Sequence, residues 1–284
     1  MEVIVGKLAG FCPGVARAVN KALEVSNEND IVYCLGELVH NKQVIEKLEK
    51  NNLKTVEDIN DVPDNSIVIF RAHGVKESIY KIAENKNLNI IDLTCGKVRI
   101  IHDKVKKEKD KSFIIIIGDE NHPESVATKD FAGDNSIVIY NEDEIIDAYK
   151  EFEKSNLKRV YVVAQTTFNL RKFELIADEI RDNFCEAEVI IDNTICNATE
   201  ERQKETEMLS KTVDVMIVIG GKNSANTQKL VEISKKNCGE VYHIQIKDDL
   251  ANVTFDKNKN VGIVAGASTP KDIIKEVENY LMEM

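Results

Sequence analysis

The hydrophobic residues of the chain fall into short apolar runs that alternate with segments of mixed polarity. Eight of these runs are rich in Ile and Val, end in Gly, Asn, His, Ser or Thr, and lead into a helical pattern, as in FIIIIGDENHPE and VMIVIGGKNSANT. Continuous apolar runs of this length are typical of strands that are buried on both faces of a parallel sheet. The pattern therefore predicts an α/β fold with mostly parallel sheets. Ligands of such sheets gather beyond the carboxyl ends of the strands, where the polar residues lie.

An internal repeat becomes visible when the strand ends are compared. The segments IIDLTC, at 90–95, and IIDNTIC, at 190–196, are near copies, and a third cysteine follows the first strand in GFCPGV. Each of the three cysteines precedes, by 24, 23 and 24 residues respectively, a glycine at the end of a strand; the pairs are Cys12 and Gly36, Cys95 and Gly118, and Cys196 and Gly220. The chain is therefore interpreted as a triplication.

The repeat predicts three similar small α/β domains around a pseudo-threefold axis. We expect the first domain at 13–95 and the second at 96–195. The third comprises 196–284 and lacks its final strand, which residues 1–12 supply as in a circular permutation. In this arrangement each domain presents one cysteine toward a common centre.

Composition and charge exclude several classes of protein. The 284 residues are 43% hydrophobic and 31% charged, which is typical of a globular protein and excludes collagen-like and disordered chains. The apolar runs are far shorter than the roughly 20 residues that span a bilayer, and the start MEVIVGKLAG is a poor signal peptide. We therefore expect a cytoplasmic protein with no membrane span and no disulfides. The net charge of −11 opposes general binding to nucleic acid or anionic membranes.

The six cysteines form no C-x-x-C pair, which argues against zinc ribbons and ferredoxin-type motifs. The three repeated cysteines each precede a helix, whose N-terminus favours the thiolate, so we predict that they bind a metal. Three thiolates can hold zinc with an open fourth position, or an iron-sulfur cluster in which one iron lacks a protein ligand. Thiolate-only ligation favours the cluster. The repeat leaves out Cys34, Cys185 and Cys238, which we interpret as structural.

The other strand ends carry donors with little negative charge. These are His40 and Asn41, Arg71 and His73, His122, Thr166 and Thr167, Asn223, Ser224 and Asn226, and Ser268 and Thr269. Together they suit a phosphate or diphosphate. Glu124 is the one carboxylate next to this set, and burial would raise its pKa enough to make it a proton donor. The lysine run at 104–111 is interpreted as a solvated helix face, with a docking patch for an acidic electron carrier as the alternative.

Nine ordered motifs give the chain a resemblance to a known family over nearly its whole length. They are GFCPGV at 10–15, ELVHN at 37–41, AHGV at 72–75, DLTC at 92–95, HPE at 122–124, QTT at 165–167, DNTICNAT at 192–199, KNSAN at 222–226 and AGAST at 265–269. In these motifs the chain resembles the 4-hydroxy-3-methylbut-2-enyl diphosphate reductases, or LytB family. The resemblance implies three α/β domains around a 4Fe-4S cluster held by Cys12, Cys95 and Cys196.

The same resemblance implies roles for the donors. His40, His73, Ser224, Asn226 and Ser268 would hold the diphosphate of a small allylic substrate, with His122 beside it and Thr167 and Asn223 in support. Glu124, Thr166 and His122 would serve the reaction itself, with Glu124 delivering a proton as water leaves. Reduced ferredoxin or flavodoxin would supply two electrons, and the products would be isopentenyl and dimethylallyl diphosphate. No nucleic acid or membrane partner is implied.

The chain departs from the family pattern at three positions. Ala225 stands where many relatives have Ser, and Gly96 stands where Pro is common. HPESVAT lacks the Gly of the usual HPE-x-x-GT, which leaves the local backbone conformation undetermined.

Two other functions are alternatives. Quinolinate synthase also combines three similar domains with a three-cysteine cluster, but the motifs AHGV, HPE and KNSAN argue against it. A redox sensor or metabolite-binding protein would bind an anion without turnover, and Glu124 distinguishes an enzyme from it.

Overall fold

The computed structural model describes residues 2–284 and consists of alternating strands and helices. The strands are β1 (Val3–Val5), β2 (Val32–Leu35), β3 (Leu53–Val56), β4 (Ile67–Phe70), β5 (Asn89–Asp92), β6 (Phe113–Ile117), β7 (Ser136–Ile139), β8 (Arg159–Ala164), β9 (Glu188–Ile191), β10 (Val215–Ile219), β11 (Glu240–Ile244) and β12 (Val261–Ala265). The helices are α1 (Pro13–Glu28), α2 (Lys42–Glu49), α3 (Glu77–Asn85), α4 (Gly96–Glu108), α5 (Pro123–Ala132), α6 (Ile145–Ser155), α7 (Leu170–Asn183), α8 (Asn197–Ser210), α9 (Ala225–Asn237) and α10 (Lys271–Met282). Short 3-10 turns lie at Ile59–Asp61, Glu142–Glu144 and Lys247–Leu250.

The strands form three four-stranded sheets with the same topology. Their orders are β3-β2-β4-β5, β7-β6-β8-β9 and β11-β10-β12-β1, and all the paired strands run parallel. The N-terminal strand β1 thus pairs with β12, as the repeat predicts, with Val3 opposite Val261. In each sheet the chain order reverses between the two central strands, which is where open parallel sheets bind ligands. The prediction of three mostly parallel α/β units is confirmed.

The central strands β6 and β10 are apolar throughout because both of their faces are covered. In β6, Phe113, Ile115 and Ile117 pack into one hydrophobic cluster, and Ile114 and Ile116 pack into another on the opposite face. The same alternation divides β10 between two clusters. Successive side chains of a strand point to opposite faces, so a run such as FIIII is the expected sequence for a strand between two helical layers.

The repeated glycines occupy equivalent places directly after the first strand of each repeat. The amide N–H of Gly36, Gly118 and Gly220 donates to the last carbonyl of the neighbouring edge strand, at Val56, Ile139 and Ile244, over 2.7–2.9 Å. Gly36 has a φ of +70°, and a Cβ there would meet the guanidinium of Arg71. A residue with a side chain would be strained at this position, which explains the glycine after β2.

The described chain divides into two compact units. One comprises Met1–Asn20, Val39–Lys50 and Asn197–Met284, and contains the sheet of β1, β10, β11 and β12. The other comprises Lys21–Leu38 and Asn51–Cys196, and contains the remaining two sheets. The domain boundaries that follow from the repeat stay a prediction. Among residues 2–284, no helix has the length and apolar content that crossing a bilayer requires.

Candidate active site

The three repeated cysteines have the same backbone environment. Each follows an edge strand, and its amide N–H donates to the carbonyl two residues beyond the end of the neighbouring strand. The pairs are Cys12 with Ala267, Cys95 with Ala72 and Cys196 with Thr166, at 3.2, 2.9 and 3.0 Å. Each cysteine also directly precedes a helix, α1, α4 or α8. The equivalence that the spacing suggests is therefore present in the hydrogen bonds.

These cysteines differ from the other three in exposure. Cys12, Cys95 and Cys196 are half-buried, whereas Cys34 lies fully buried in β2 and Cys238 lies buried at the end of α9. Burial raises the pKa of the Cys34 thiol to about 12, so Cys34 stays protonated. Cys185 is exposed at the end of α7. Partly accessible sulfurs at helix N-termini fit the ligation of a metal centre by thiolates, and the deeply buried sulfurs do not.

Glu124 lies in the first turn of α5 and is buried, with 3% of its surface exposed. Its carboxyl group accepts two hydrogen bonds from Thr166, one from the amide N–H at 2.6 Å and one from the hydroxyl at 2.7 Å. Burial raises the pKa of Glu124 from its ordinary 4.5 to about 7, against the opposing effect of these two hydrogen bonds. The side chain is therefore divided between acid and carboxylate near neutral pH, as a proton donor requires.

One histidine contacts Glu124, and a second packs against the first. His122 caps α5, because its Nδ1 accepts the amide N–H of Glu124 at 3.2 Å. With Nδ1 used as an acceptor, the proton of the neutral ring is on Nε2, which can donate to an anion. The ring of His73 meets that of His122 edge to face, with 5.5 Å between the ring centroids. The loops after β4 and β6 thus bring two imidazoles together.

A continuous series of contacts joins the candidate residues of this compact unit. The carbonyl of Thr166 accepts from Cys196, its amide and hydroxyl bind Glu124, and Glu124 contacts His122. The ring of His122 packs on that of His73. His73 directly follows Ala72, whose carbonyl accepts the hydrogen bond from the amide of Cys95. Two predicted ligands, a proton donor and two imidazoles are therefore linked through strands β4, β5, β6, β8 and β9.

The other compact unit brings a second group of candidates together at the ends of β10 and β12. The hydroxyl of Ser268 donates to the carbonyl of His40 at 3.2 Å. Gly221 packs against the same carbonyl so closely that a Cβ there would lie 2.5 Å from the oxygen. Only glycine permits this approach, which places the loop after β10 beside His40.

Ser224 and Asn226 lie at the N-terminus of α9. Ser224 caps the helix by accepting the amide N–H of Thr227 at 3.3 Å, so its own hydroxyl hydrogen remains available to donate. Asn226 is 96% buried, and among the residues described neither its amide nitrogen nor its oxygen has a hydrogen-bond partner. A buried amide without a partner costs free energy and is typical of a group that waits for a ligand. With the helix dipole, this end of α9 suits an anion.

The structure records fewer contacts for the remaining candidates from the sequence. Thr167 is half-buried, and its hydroxyl accepts from the Gln165 amide at 2.9 Å. Asn223 is exposed in the loop before α9. Ala127 stands where the family's usual glycine would be, but α5 runs through it as a regular helix, so the departure leaves the backbone intact. The convergence of Cys12 with the other two cysteines stays a prediction.

Asp92 and Asp192, which precede two of the cysteines, are not among the donors that the strand-end pattern predicts. Asp92 accepts from the Tyr80 hydroxyl at 2.9 Å, and Asp192 accepts from the Tyr161 hydroxyl at 2.5 Å and from Lys104 at 2.6 Å. Lys104 belongs to the lysine run, so part of that run is paired rather than freely solvated. The signal for both aspartates was present in the near copies IIDLTC and IIDNTIC.

Fold and site together define an α/β protein of three four-stranded parallel sheets, with thiols and a buried carboxyl at the strand ends as in enzyme active sites. The profile of the LytB protein family matches residues 3–282. The chain belongs to this family.

Individual relatives match nearly the whole length of this chain. A 4-hydroxy-3-methylbut-2-enyl diphosphate reductase of Clostridioides difficile is 42% identical over 283 residues, which cover 99% of both chains. The solved structure of the E-1-hydroxy-2-methyl-but-2-enyl-4-diphosphate reductase from Plasmodium falciparum matches with a TM-score of 0.84 and 30% identity, over 99% of this chain and 87% of that one. A solved (E)-4-hydroxy-3-methyl-but-2-enyl diphosphate reductase, described as the terminal enzyme of the non-mevalonate pathway, matches with a TM-score of 0.71 and 35% identity over the full length of both chains.

Proposed function

We propose that this protein is a 4-hydroxy-3-methylbut-2-enyl diphosphate reductase. The reaction takes the allylic alcohol diphosphate, two electrons and two protons, and gives water with isopentenyl or dimethylallyl diphosphate. One proton leaves with the C4 hydroxyl as water, and the other is added to the allylic carbon skeleton at either end. The proposal rests on membership of the LytB family and on the placement of a buried, titratable carboxyl next to the loop of a predicted cluster ligand.

The donor set fits a 4Fe-4S cluster with Cys12, Cys95 and Cys196 as its ligands. All three thiols directly precede a helix, have amides fixed by equivalent hydrogen bonds, and are half-buried. The positive end of a helix favours the thiolate that iron needs. When bound, such a cluster supplies electrons and a Lewis-acidic iron.

Glu124 is the proposed proton donor, and its position beside Thr166 is the observation that carries the proposal. Burial holds its pKa near 7, so the acid form is populated at the pH of the cell and the carboxylate can be reprotonated between turnovers. Thr166 fixes the orientation of the carboxyl through two short hydrogen bonds. His122, whose Nδ1 is held by the amide of Glu124, presents Nε2–H to an anion.

We assign the diphosphate to the neutral donors of the strand ends. His40, Ser224 and Asn226 offer imidazole, hydroxyl and amide groups, and Asn226 is buried with its amide unused. Ser268 would join them by turning its hydroxyl hydrogen from the carbonyl of His40 to the ligand. His73 and His122 add two imidazoles, and Thr167 and Asn223 are supporting donors. Hydrogen bonds to a charged ligand contribute about 1.5–3 kcal/mol each, so a few of these groups suffice for binding.

A turnover assay tests the proposed acid. Protein purified without oxygen is supplied with dithionite, a redox mediator and the allylic diphosphate, and formation of the two products is followed. Glu124→Gln keeps the size of the side chain but holds no acidic proton, so the rate should fall by about 100-fold or more. Glu120→Gln, at an exposed site, is the matched control and should retain the wild-type rate. Undiminished turnover in Glu124→Gln would remove Glu124 from the reaction.

An iron and sulfide analysis tests the ligands separately. Cys95→Ser should lose most of its iron, whereas the exposed Cys185→Ser and the buried Cys34→Ser should keep it. Zinc in place of iron in the wild-type protein would contradict the cluster. Replacement of dithionite by reduced ferredoxin or flavodoxin then tests the proposed electron donors, of which at least one should sustain turnover.

A further inference from the structure

A pair of charged residues on α8 holds the loop that leads to Cys12. The Arg202 guanidinium donates to the carbonyl of Leu8 through Nη2 at 2.6 Å and Nε at 3.1 Å, and to the carbonyl of Gly10 through Nη2 at 2.8 Å. One turn further, the carboxylate of Glu205 accepts the amide N–H groups of Lys7 at 2.7 Å and Leu8 at 3.0 Å. Five hydrogen bonds from two side chains thus converge on residues 7–10.

The burial of Arg202 shows that this arrangement is built into the fold. Only 4% of its surface is exposed, and a charge so deeply buried is stable only when hydrogen bonds replace its hydration. The loop is adapted to the pair in turn. A Cβ at Gly6 would lie 2.9 Å from a carboxylate oxygen of Glu205 and would displace that side chain, and Gly10 has a φ of +108°, which favours glycine.

Apart from the pair, the loop is fixed at Gly6, whose amide N–H donates to the carbonyl of Ile263 at 2.8 Å, and at Ala9, which packs against a hydrophobic cluster. Lys7 and Leu8, between them, are exposed. The carbonyl of Leu8 binds Arg202, and its amide binds Glu205. The side chain of Leu8 is 37% exposed, so its packing contributes little to the order of the loop. Beyond Gly10 the chain reaches Cys12, whose amide binds Ala267. The carbonyl held by Arg202 is only two residues from the cysteine, so movement of the loop would move the sulfur.

We infer that Arg202 and Glu205 are positioning residues that set the place of Cys12 before any metal is bound. The inference rests on the proposed function only for the role of Cys12 as a ligand. It predicts that Lys7 and Leu8 are ordered by α8 and that loss of either side chain loosens these two residues while the remainder of the chain keeps its protection. A loosened Cys12 should then release iron faster.

Amide hydrogen exchange on the full-length protein measures the loop directly. In Glu205→Gln the amides of Lys7 and Leu8 should exchange about tenfold faster, because one neutral oxygen replaces the two charged oxygens that accept these amides. Arg202→Met should also accelerate these amides and should release iron to a chelator about tenfold faster, whereas Arg202→Lys, which keeps a charged donor, should recover part of the difference. Glu201→Gln and Lys204→Met change exposed charges on the same helix and should match the wild type.

A merely structural role of the pair predicts a different result. Global destabilisation would accelerate the slow amides of all three sheets together, and selective acceleration of residues 7 and 8 would not be seen; that outcome would overturn the inference. Unchanged iron release in both Arg202→Met and Glu205→Gln would overturn it as well. If Arg202→Met does not fold, Glu205→Gln and Arg202→Lys give the same decision. If the wild-type protein shows no turnover but the variants still accelerate exchange only at residues 7 and 8, the result would count against the proposed function and not against the positioning role.

Discussion

The hydroxyl of Thr166 is the part of the site whose removal has the most direct consequence for proton transfer. It donates to Oε2 of Glu124 at 2.7 Å, while the amide of the same residue serves Oε1. Thr166→Val keeps the shape of the side chain and the amide hydrogen bond, and removes only the hydroxyl. Because this hydrogen bond stabilises the carboxylate, its loss should raise the pKa of Glu124 further above its ordinary value.

The size of the change follows from the strength of one charge-assisted hydrogen bond. Such a bond is worth about 1.5–3 kcal/mol, and one pKa unit corresponds to about 1.4 kcal/mol. The pKa of Glu124 should therefore rise from about 7 to roughly 8–9 in the variant. A proton donor acts in its acid form, so the alkaline limb of the pH–rate profile should move upward by the same interval.

A carbon NMR titration of protein labelled at the glutamate carboxyl groups provides the assay. The Glu124 signal is identified by its absence in Glu124→Gln, and its midpoint is compared between the wild type and Thr166→Val. Thr167→Val is the matched control, because the hydroxyl of Thr167 binds Gln165 and its loss should leave the midpoint near 7. A midpoint that stays in place or falls in Thr166→Val would refute the hydrogen-bond argument.

Two further predictions concern stability and substrate binding. Between pH 4.5 and 7 the folded protein keeps a proton on Glu124 that the unfolded chain releases, so the contribution of Glu124 to the free energy of unfolding should fall by about 3 kcal/mol as the pH rises across this interval. Denaturant unfolding should show that Glu124→Gln lacks this decrease and that Glu120→Gln retains it; equal slopes in Glu124→Gln and the wild type would contradict the raised pKa. Asn226→Ala removes no hydrogen bond from the ligand-free protein, so the free energy of unfolding should change by less than about 1 kcal/mol while KM rises about tenfold. Asn41→Ala, which removes the cap of α2, is the control and should lower the free energy of unfolding by about 1 kcal/mol; a similar loss in Asn226→Ala with unchanged KM would contradict the assignment.

Much of the fold could be predicted because its strands are buried on both faces. A run such as Phe113–Ile117 has no polar position, and only a central strand of a covered parallel sheet requires such a sequence. The repeat then located the cysteines, since the spacings from Cys12 to Gly36 and from Cys95 to Gly118 differ by one residue and each is spanned by one helix and one strand. Family motifs supplied the roles of the individual donors.

The partners of the charged side chains could not be predicted in this way. Glu124 and Thr166 are 42 residues apart, and Arg202 and Leu8 are 194 apart. Neither separation follows a helical or strand period, so no local pattern connects the two members of a pair. The first pair forms because parallel pairing aligns β6 with β8. The second forms because α8 packs against the loop after β1.

By itself the sequence determined eight of the strands, that the sheets are mostly parallel, and which cysteines are equivalent, because local burial and spacing control these properties; the edge strands β3, β7 and β11 lie outside the eight apolar runs. The tertiary structure decided the raised pKa of Glu124, the unpaired amide of Asn226 and the hydrogen bonds from Arg202 to the loop before Cys12. Each of these depends on how completely water is excluded and on which distant groups replace it. Hydration of a side chain is a property of its three-dimensional surroundings, and residue order along the chain leaves it open.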